Sequence, residues 1–263
     1  MKTILDFAKA KNKEQKITML TCYDYTFAKI LNKSSIDTLL VGDSVSQVVY
    51  GNPTTLHANM NMMIVHTEAV RRGAPDKFIV SDMPFLSTRK SLKYAVTAAG
   101  DLLKAGANSV KIEGADGHLE LIKYLTESGI PVMGHLGLTP QSIHQLGGPK
   151  IQGRTLTAAD KMLADALDLE KANSFSLVLE CIPHELAKKI SEHLHITTIG
   201  IGAGSKTSGQ VLVLHDMLGL NSQFNPQFLR KFADFEMSSI EAIEKYILAV
   251  QKNEFPTLQN SYE

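Results

Sequence analysis

Residues 109–135 read SVKIEGADGHLELIKYLTESGIPVMGH, and this stretch predicts a strand, a helix and a second strand. Residues 109–113 and 131–135 are short apolar runs of the kind found in strands that are buried on both faces. The segment between them has a helical pattern and closes at Ser128-Gly129. Strands joined by helices, rather than by two-residue turns, predict βαβ units and a parallel sheet.

The same alternation extends along the rest of the chain. The predicted strands lie at residues 17–23, 38–43, 78–82, 109–113, 131–135, 177–180, 197–202 and 210–215. Eight such units in 263 residues match the usual size of a (β/α)₈ TIM barrel, and an open doubly wound sheet is the alternative. No linker, repeat or change of composition divides the chain. We therefore predict one α/β barrel domain over residues 1–263, with a short N-terminal extension and a polar C-terminal tail.

Composition and charge exclude several classes of protein. The chain has 27 Lys and Arg and 27 Asp and Glu, so it lacks the basic footprint of a nucleic-acid-binding or membrane-surface protein. No apolar run reaches the roughly 20 residues of a membrane span, and the N-terminus turns polar before a signal-peptide core could form. Cys22 and Cys181 form no Cys-x-x-Cys pair, which predicts buried thiols in a reducing compartment. We expect a cytoplasmic protein that binds neither nucleic acid nor membrane.

Polar residues stand at the carboxyl ends of five predicted strands. They are Asp43, Asp82, Glu113, His135 and Glu180. In a barrel these ends share one face, where active sites are built. Lys111 lies two residues before Glu113, so both side chains point to the same side of their strand. Helix capping or pairing with a lysine would explain any one of these acids alone, but the five positions together predict a functional site.

The acids among these residues predict a hard metal ion. Carboxylates gathered around one barrel mouth repel one another unless a cation or raised pKa values relieve them. Three carboxylates with water or substrate oxygens are the ligand set of Mg²⁺, whereas no Cys/His cluster offers the ligands that zinc prefers. The role of His135, catalytic or structural, stays open at this point. So does the glycine-rich run at residues 200–205, which suits either a phosphate-binding turn or a tight turn between strand and helix.

Short motifs follow one another in a fixed order between about residues 17 and 235. They include TCYDY (21–25), VGDS (41–44), HTEAVRRGA (66–74), SDMPF (81–85), VKIEG (110–114), GHLGLTPQ (134–141), LECIP (179–183) and GIGAG (200–204). Through them the chain resembles the ketopantoate hydroxymethyltransferase family of the pantothenate pathway. Two positions depart from that family. Ser46-Gln47 stands where relatives usually have Gly-Met, and Gly114-Ala115-Asp116 stands where they often have paired glycines.

The resemblance implies a (β/α)₈ barrel, an enzyme and a set of substrates. The implied reaction is a Mg²⁺-dependent transfer of a hydroxymethyl group from 5,10-methylenetetrahydrofolate to 3-methyl-2-oxobutanoate. Its product is 2-dehydropantoate (ketopantoate), a precursor of pantothenate and coenzyme A. The resemblance also implies a homo-oligomer, which is decameric in bacterial relatives.

The family's site residues carry over to individual positions of this chain. By the resemblance, Asp43, Asp82 and Glu113 match the metal-holding positions, some of them through water. Asp43, Ser44, Asp82 and Lys111 match the groups that bind the 2-oxo acid, with His135 beside it, and Glu180 matches the proton acceptor. The residues that bind the folate are not identified, although the loops around Tyr50 and Gly202 are candidates.

Two other functions remain alternatives at this stage. One is a lyase or mutase of the phosphoenolpyruvate/isocitrate lyase kind, which also handles 2-oxo acids on a Mg²⁺ barrel. Such enzymes usually carry a reactive Cys or Ser on a loop, and neither Cys22 nor Cys181 has a sequence context that predicts one. The other is a catalytically silent barrel that serves in binding or assembly.

Overall fold

Eight parallel strands, arranged in chain order, close on themselves as a barrel. The strands are β1 (Ile17–Thr21), β2 (Thr38–Val41), β3 (Phe78–Asp82), β4 (Ser109–Glu113), β5 (Val132–Gly137), β6 (Ser176–Glu180), β7 (Thr197–Ile201) and β8 (Gly209–Leu212). Each strand pairs with the next, and β1 also pairs with β8, which completes the barrel. The predicted TIM barrel is confirmed in this computed structural model, and the open sheet is wrong.

All eight predicted strands are present, but several of their ends are wrong. The strands β1 and β2 end at Thr21 and Val41, each two residues before the predicted end. We predicted a last strand at 210–215, whereas β8 ends at Leu212 and a short helix, α9, spans Leu214–Met217. Residues 211–214 are all apolar, and a short apolar run has no periodicity that separates a strand from a buried helical turn. The fifth strand extends beyond the predicted residues, to Gly137.

Helices connect most of the strands. In order they are α1 (Ile4–Asn12), α2 (Tyr25–Asn32), α3 (Val45–Val48), α4 (Met60–Gly73), α5 (Leu92–Lys104), α6 (Leu119–Glu127), α7 (Leu156–Lys171) and α8 (His184–His193), with short 3₁₀ helices at Thr55–His57 and Pro140–Ser142. Several begin at a residue whose side-chain oxygen accepts a hydrogen bond from a backbone N–H of the first turn. These capping residues are Asp24, Asn59, Ser91 and Thr155. Such caps fix where a helix starts and hence how long the preceding loop is.

The amino ends of the strands enclose an apolar core. Ile17 and Phe78 are the first residues of β1 and β3, and both are buried. Phe7 of α1 is buried against them, with its ring centroid 5.3 Å from that of Phe78 and 5.2 Å from that of Phe175. Helix α1 therefore closes the amino end of the barrel with an aromatic cluster.

The structure describes residues 1–263 and divides into two units, Met1–Leu212 and Val213–Glu263. The first unit is the barrel. The second contains α9, helix α10 (Phe235–Gln251) and a short 3₁₀ helix at Leu258–Asn260. Within it, Asp234 Oδ1 accepts a hydrogen bond from the backbone N–H of Met237 and so caps α10. A single domain over residues 1–263 stays a prediction.

Helix α10 is exposed along its length, and no helix of the chain is suited to cross a membrane. No residue of α10 is buried, and the helix exposes Ile243, Tyr246 and Leu248 among other apolar side chains. None of the helices combines the length and the apolar character needed to cross a membrane.

Candidate active site

The carboxyl end of the barrel carries the polar residues that the sequence predicted there. Asp82 is the last residue of β3, Glu113 the last of β4 and Glu180 the last of β6, and His135 lies within β5. The strand register places Asp82 beside Lys111 and Glu113 beside His135, so their side chains point to the same side of the sheet. The structure therefore brings the predicted side chains together inside the barrel mouth.

Lys111 lies at the centre of this group. Its Nζ atom is 3.3 Å from Asp82 Oδ1 and 3.5 Å from Glu113 Oε1, and it is 3.1 Å from His135 Nδ1. All four side chains are buried. A buried ammonium ion is tolerated only where acceptors surround it, and these three neighbours supply them.

His135 connects this group to Glu180. Its Nε2 atom is 3.2 Å from Glu180 Oε2, although the geometry is too far off line for a formed hydrogen bond. Its Nδ1 atom lies 3.1 Å from Lys111 Nζ, which can only donate, and 3.4 Å from Glu113 Oε1, so the first contact suits an unprotonated Nδ1 and the second a protonated one. Nε2 is the ring nitrogen that faces the carboxylate of Glu180. Glu180 is half-buried, so it lies nearer to the opening than the other acids.

Asp43 and Ser44 follow β2 and approach the same group from another side. The backbone N–H of Asp43 donates to Asp82 Oδ2 at 2.9 Å. Ser44 Oγ is 2.7 Å from the hydroxyl of Tyr23, which is fully buried. Gly42 permits this turn, since a Cβ atom there would lie 2.7 Å from Ser44 Oγ. The glycine therefore leaves the space that Ser44 occupies.

Gln141 is a member of this site to which the sequence assigned no role. It belongs to the 3₁₀ helix after β5, and its side-chain Nε2 donates to Asp43 Oδ2 and to the Met83 carbonyl, both at 2.9 Å. Its backbone N–H donates to Glu113 Oε2 at 2.9 Å. Only its place in the motif GHLGLTPQ pointed to it, because a glutamine in a loop carries no signal of its own.

Two of the acids at the barrel mouth, Asp43 and Asp82, have raised pKa values. Burial, followed by repulsion from Asp82 and Glu113, raises the pKa of Asp43 well above its usual range. Burial also raises the pKa of Asp82, although Lys111 opposes the shift. Both carboxylates are therefore held in an environment that disfavours their charge.

Around Lys111, by contrast, the pKa shifts favour the charged form of each group. Burial opposes ionisation of Glu113, but Lys111 and His135 outweigh it and lower the pKa of Glu113 to about 2. Burial likewise lowers the pKa of Lys111, and the carboxylates of Asp82, Glu113 and Asp43 outweigh it and raise that pKa. The pKa of His135 is also raised, because Glu113 and Glu180 outweigh burial and the charge of Lys111. Glu113 and Lys111 are thus a stable ion pair, whereas Asp43 and Asp82 lack a full counter-charge.

The residues fit a hard divalent cation, although they do not form a preassembled cage. No group of three His, Cys, Asp or Glu side chains is arranged around a common point. Mg²⁺, however, usually takes one or two protein carboxylates and completes its shell with water and substrate oxygens. Asp82 Oδ1 is buried and accepts no hydrogen bond, and its nearest charged neighbour is Lys111 Nζ at 3.3 Å, so this oxygen can still contact a cation. Both oxygens of Glu113 already have partners, Lys111 and the N–H of Gln141, so Glu113 suits a contact through water.

Neither cysteine adds a reactive group to the barrel mouth. Burial raises the pKa of the Cys22 thiol to about 12. Burial and the charge of Glu180 raise the pKa of the Cys181 thiol to about 11. The chain therefore offers no thiolate nucleophile at neutral pH.

Comparison with known sequences settles the family. A sequence model described as ketopantoate hydroxymethyltransferase matches residues 1–258. The chain belongs to this family. A relative from Bdellovibrio bacteriovorus, named 3-methyl-2-oxobutanoate hydroxymethyltransferase, is 53% identical over 262 residues and matches 100% of both chains. A relative of the same name from Legionella pneumophila is 51% identical and covers 98% of this chain and 99% of its own.

The solved structures that this chain is similar to show only the fold. A crystal structure of 2,3-dimethylmalate lyase, a member of the PEP mutase/isocitrate lyase superfamily, matches 100% of this chain and 93% of its own with a TM-score of 0.60. The two sequences are 12% identical, so the likeness supports the barrel and not a shared reaction. Sequence therefore separates the ketopantoate hydroxymethyltransferase family from the lyases that share its architecture, and it confirms the predicted enzyme family.

Proposed function

We propose that this chain transfers a hydroxymethyl group from 5,10-methylenetetrahydrofolate to 3-methyl-2-oxobutanoate and so produces 2-dehydropantoate for pantothenate and coenzyme A biosynthesis. Family membership supports the reaction. The observation that carries it is the row of contacts from Asp82 through Lys111 and His135 to Glu180. This row has cationic and cation-binding groups at one end and an accessible carboxylate at the other, as removal of a proton beside a carbonyl requires.

The 2-oxo acid would bind at the end of the row that Asp82 and Lys111 form. Asp43 and Asp82 would hold Mg²⁺, with Glu113 in contact through water. When bound, Mg²⁺ supplies a Lewis acid for the carboxylate and keto oxygens of the substrate. Lys111 adds positive charge beside the same oxygens, and Ser44 Oγ offers a further hydrogen bond. Because these groups are buried, their charges act with little screening by water.

Glu180 would accept the C3 proton of the 2-oxo acid. It is more exposed than the other acids and lies on a different strand from them, so it can reach C3 from outside the metal-binding end. His135 faces Glu180 with Nε2 and Lys111 with Nδ1, so its imidazole lies between the base and the cationic end of the row. The C3–H bond breaks, its proton passes to Glu180, and a bond forms between C3 and the methylene carbon. The bonds from that carbon to N5 and N10 of the folate break, and water supplies the hydroxyl oxygen. The C3 proton and one proton of the water end on the two nitrogens, so tetrahydrofolate leaves.

The loop after Ser44 would contact the folate. Its Tyr50 ring is about half-exposed and packs edge-on against His66, with the hydroxyl 3.0 Å from His66 Nε2. The loop is held from within by Ser46, whose hydroxyl donates to the Thr54 carbonyl and accepts from Asn52. A fixed and exposed aromatic ring beside the barrel mouth suits stacking on a pterin.

Two further features support the partners and the location that we propose. The apolar side chains that α10 exposes suit a contact with another copy of the chain, and we propose a homo-oligomer, a decamer as in bacterial relatives. Cys22 and Cys181 are free thiols, which supports a reducing, cytoplasmic location.

Proton NMR in D₂O tests this proposal directly. The purified protein would be mixed with Mg²⁺, 3-methyl-2-oxobutanoate and methylenetetrahydrofolate. We expect loss of the C3 proton signal and a new hydroxymethyl signal. C3 exchange without that signal would overturn the folate donor and keep the enolising site. Release of pyruvate or glyoxylate from a diacid would support the lyase instead, and folded protein with no change in either signal would support a silent barrel.

A further inference from the structure

Gln141 connects the loops that follow three consecutive strands. Its side chain donates to Asp43 after β2 and to the Met83 carbonyl after β3, and its backbone N–H donates to Glu113 at the end of β4. Each of these three bonds is 2.9 Å long. Gln141 itself follows β5, so it contacts residues that are as many as 98 positions away in the chain.

The acceptors determine how the amide is oriented. A glutamine amide nitrogen has two hydrogen atoms, and here they are directed at the Asp43 carboxylate and the Met83 carbonyl, both of which accept them. The reverse orientation would place the amide oxygen against a carboxylate and a carbonyl, which repel it. The Nε2 group of Gln141 is therefore held toward Asp43 and Met83.

This orientation determines which part of Asp43 remains free. The amide occupies Asp43 Oδ2, and the backbone N–H of Asp43 is itself bonded to Asp82 Oδ2. The second carboxylate oxygen of Asp43 takes no part in these bonds, and Asp82 Oδ1 accepts no hydrogen bond and has Lys111 Nζ 3.3 Å away. Without Gln141, the Asp43 side chain could rotate, and its two oxygens would become interchangeable.

We infer that Gln141 is a positioning residue that holds Asp43 and Glu113 in the orientation that binds the divalent cation. The inference rests on the proposed function, because it assigns Mg²⁺ to this end of the barrel. Gln141 does not touch the cation in this scheme. It acts on the two carboxylates, one through its side chain and the other through its backbone.

The test compares Mg²⁺ binding by wild-type protein, Gln141→Met and Ser142→Ala, measured by titration calorimetry on metal-free protein. Methionine keeps the length and volume of the side chain but cannot donate to Asp43, while the backbone bond to Glu113 remains. Ser142 lies in the same 3₁₀ helix, and its replacement changes none of the three bonds. We expect Gln141→Met to weaken Mg²⁺ binding about tenfold, since it leaves a buried carboxylate without its donor, and Ser142→Ala to match wild type.

Activity and stability measurements separate positioning from a merely structural role. For Gln141→Met we expect a higher KM for Mg²⁺, a kcat that recovers at saturating Mg²⁺ and an unchanged KM for methylenetetrahydrofolate. A lower Tm with unchanged Mg²⁺ affinity would show a structural role and would overturn the inference. Should Gln141→Met not fold, Gln141→Asn keeps the amide but shortens its reach, and the same loss of Mg²⁺ affinity is expected of it.

The wild-type titration distinguishes the two possible failures. Wild-type protein that binds no Mg²⁺ would overturn the proposed metal site, and the inference with it. Wild-type and Gln141→Met proteins that bind Mg²⁺ equally well would leave the proposed function intact and overturn the role of Gln141 alone.

Discussion

The two ends of the barrel are built on opposite principles. At the amino end, the rings of Phe7, Phe78 and Phe175 pack against one another in an apolar core. At the carboxyl end, Asp43 and Asp82 are equally buried, but burial raises the pKa of each. Burial stabilises the first group of side chains and destabilises the charges of the second.

This contrast assigns different tasks to the two ends. Removing apolar rings from water favours folding, whereas removing carboxylates that lack a full counter-charge from water opposes it. Burial of the acids lowers the free energy of unfolding, and other contacts must offset this loss. The aromatic cluster at the amino end is one of them. Changes at the amino end should therefore alter stability and spare the reaction, and changes at the carboxyl end should do the reverse.

The largest effect is expected from removing the base. Glu180→Gln keeps the shape of the side chain but cannot accept the C3 proton, so kcat should fall by about 10²- to 10⁴-fold. Calorimetry should show unchanged binding of Mg²⁺ and the 2-oxo acid. Glu185→Gln, on the surface of α8, is the matched control and should retain full activity. Full turnover by Glu180→Gln would remove Glu180 from the role of base.

Phe7→Ala tests the opposite end. It removes a fully buried ring from the aromatic cluster, so the free energy of unfolding should fall by about 3 to 5 kcal/mol. Leu5→Ala on the same helix replaces a side chain that is 65% exposed and should change stability by less than about 0.5 kcal/mol. Denaturant unfolding measures both. If Phe7→Ala slowed C3 exchange in the protein that remains folded, the amino end would also affect the reaction, and the contrast between the two ends would fail.

Asp43→Asn should stabilise the metal-free protein while it impairs Mg²⁺ binding. The pKa of Asp43 is raised in the folded state, so folded protein holds this proton more tightly than unfolded protein does. Wild type therefore loses stability as the pH rises from the ordinary aspartate value of 3.8 through the raised one, and Asp43→Asn does not. At pH 7 we therefore expect the metal-free Asp43→Asn protein to have the higher free energy of unfolding.

Thermal unfolding in EDTA between pH 4 and pH 8 checks this prediction. The gain should be small near pH 4 and grow toward neutral pH. Adding Mg²⁺ should stabilise wild type more than Asp43→Asn and so narrow the difference. Asp101→Asn, which removes a surface acid that pairs with Lys104, should show neither trend. A constant difference at every pH would contradict the raised pKa of Asp43 in the folded protein.

The smallest effect is expected from changing Tyr50, in the loop after Ser44. Tyr50→Ala removes the proposed stacking surface, so the KM for methylenetetrahydrofolate should rise about 2- to 10-fold. Tyr50→Phe keeps the ring and should behave as wild type. Exchange of the C3 proton measured without folate should be the same in all three proteins. An unchanged folate KM in Tyr50→Ala would move the pterin contact to another loop, with the loop around Gly202 next in order.

Sequence alone predicted the barrel and the positions of its polar strand ends, because both follow from short-range pattern. A strand is recognisable from a few apolar residues, and the carboxyl ends of parallel strands must lie at one face. Lys111 and Glu113 were predicted to face the same side, and in the structure their side chains are 3.5 Å apart. This part of the site needed no knowledge of distant contacts.

The remaining features depend on the tertiary structure. Gln141 reaches Asp43 across 98 residues of sequence, and no local pattern distinguishes it from any other loop glutamine. The contact between His135 and Glu180 depends on the register of β5 with β6. The predicted end of the last strand was wrong because residues 211–214 are all apolar and show neither strand nor helix periodicity.

The raised pKa values of both thiols have a practical consequence for labelling. Cys22 and Cys181 remain protonated at pH 7, so maleimide and iodoacetamide reagents should react slowly with the wild-type chain. A cysteine introduced on an exposed loop would then be modified first, without prior removal of the native ones. The barrel thus provides a nearly silent background on which a single fluorophore or spin label could report loop motion during turnover.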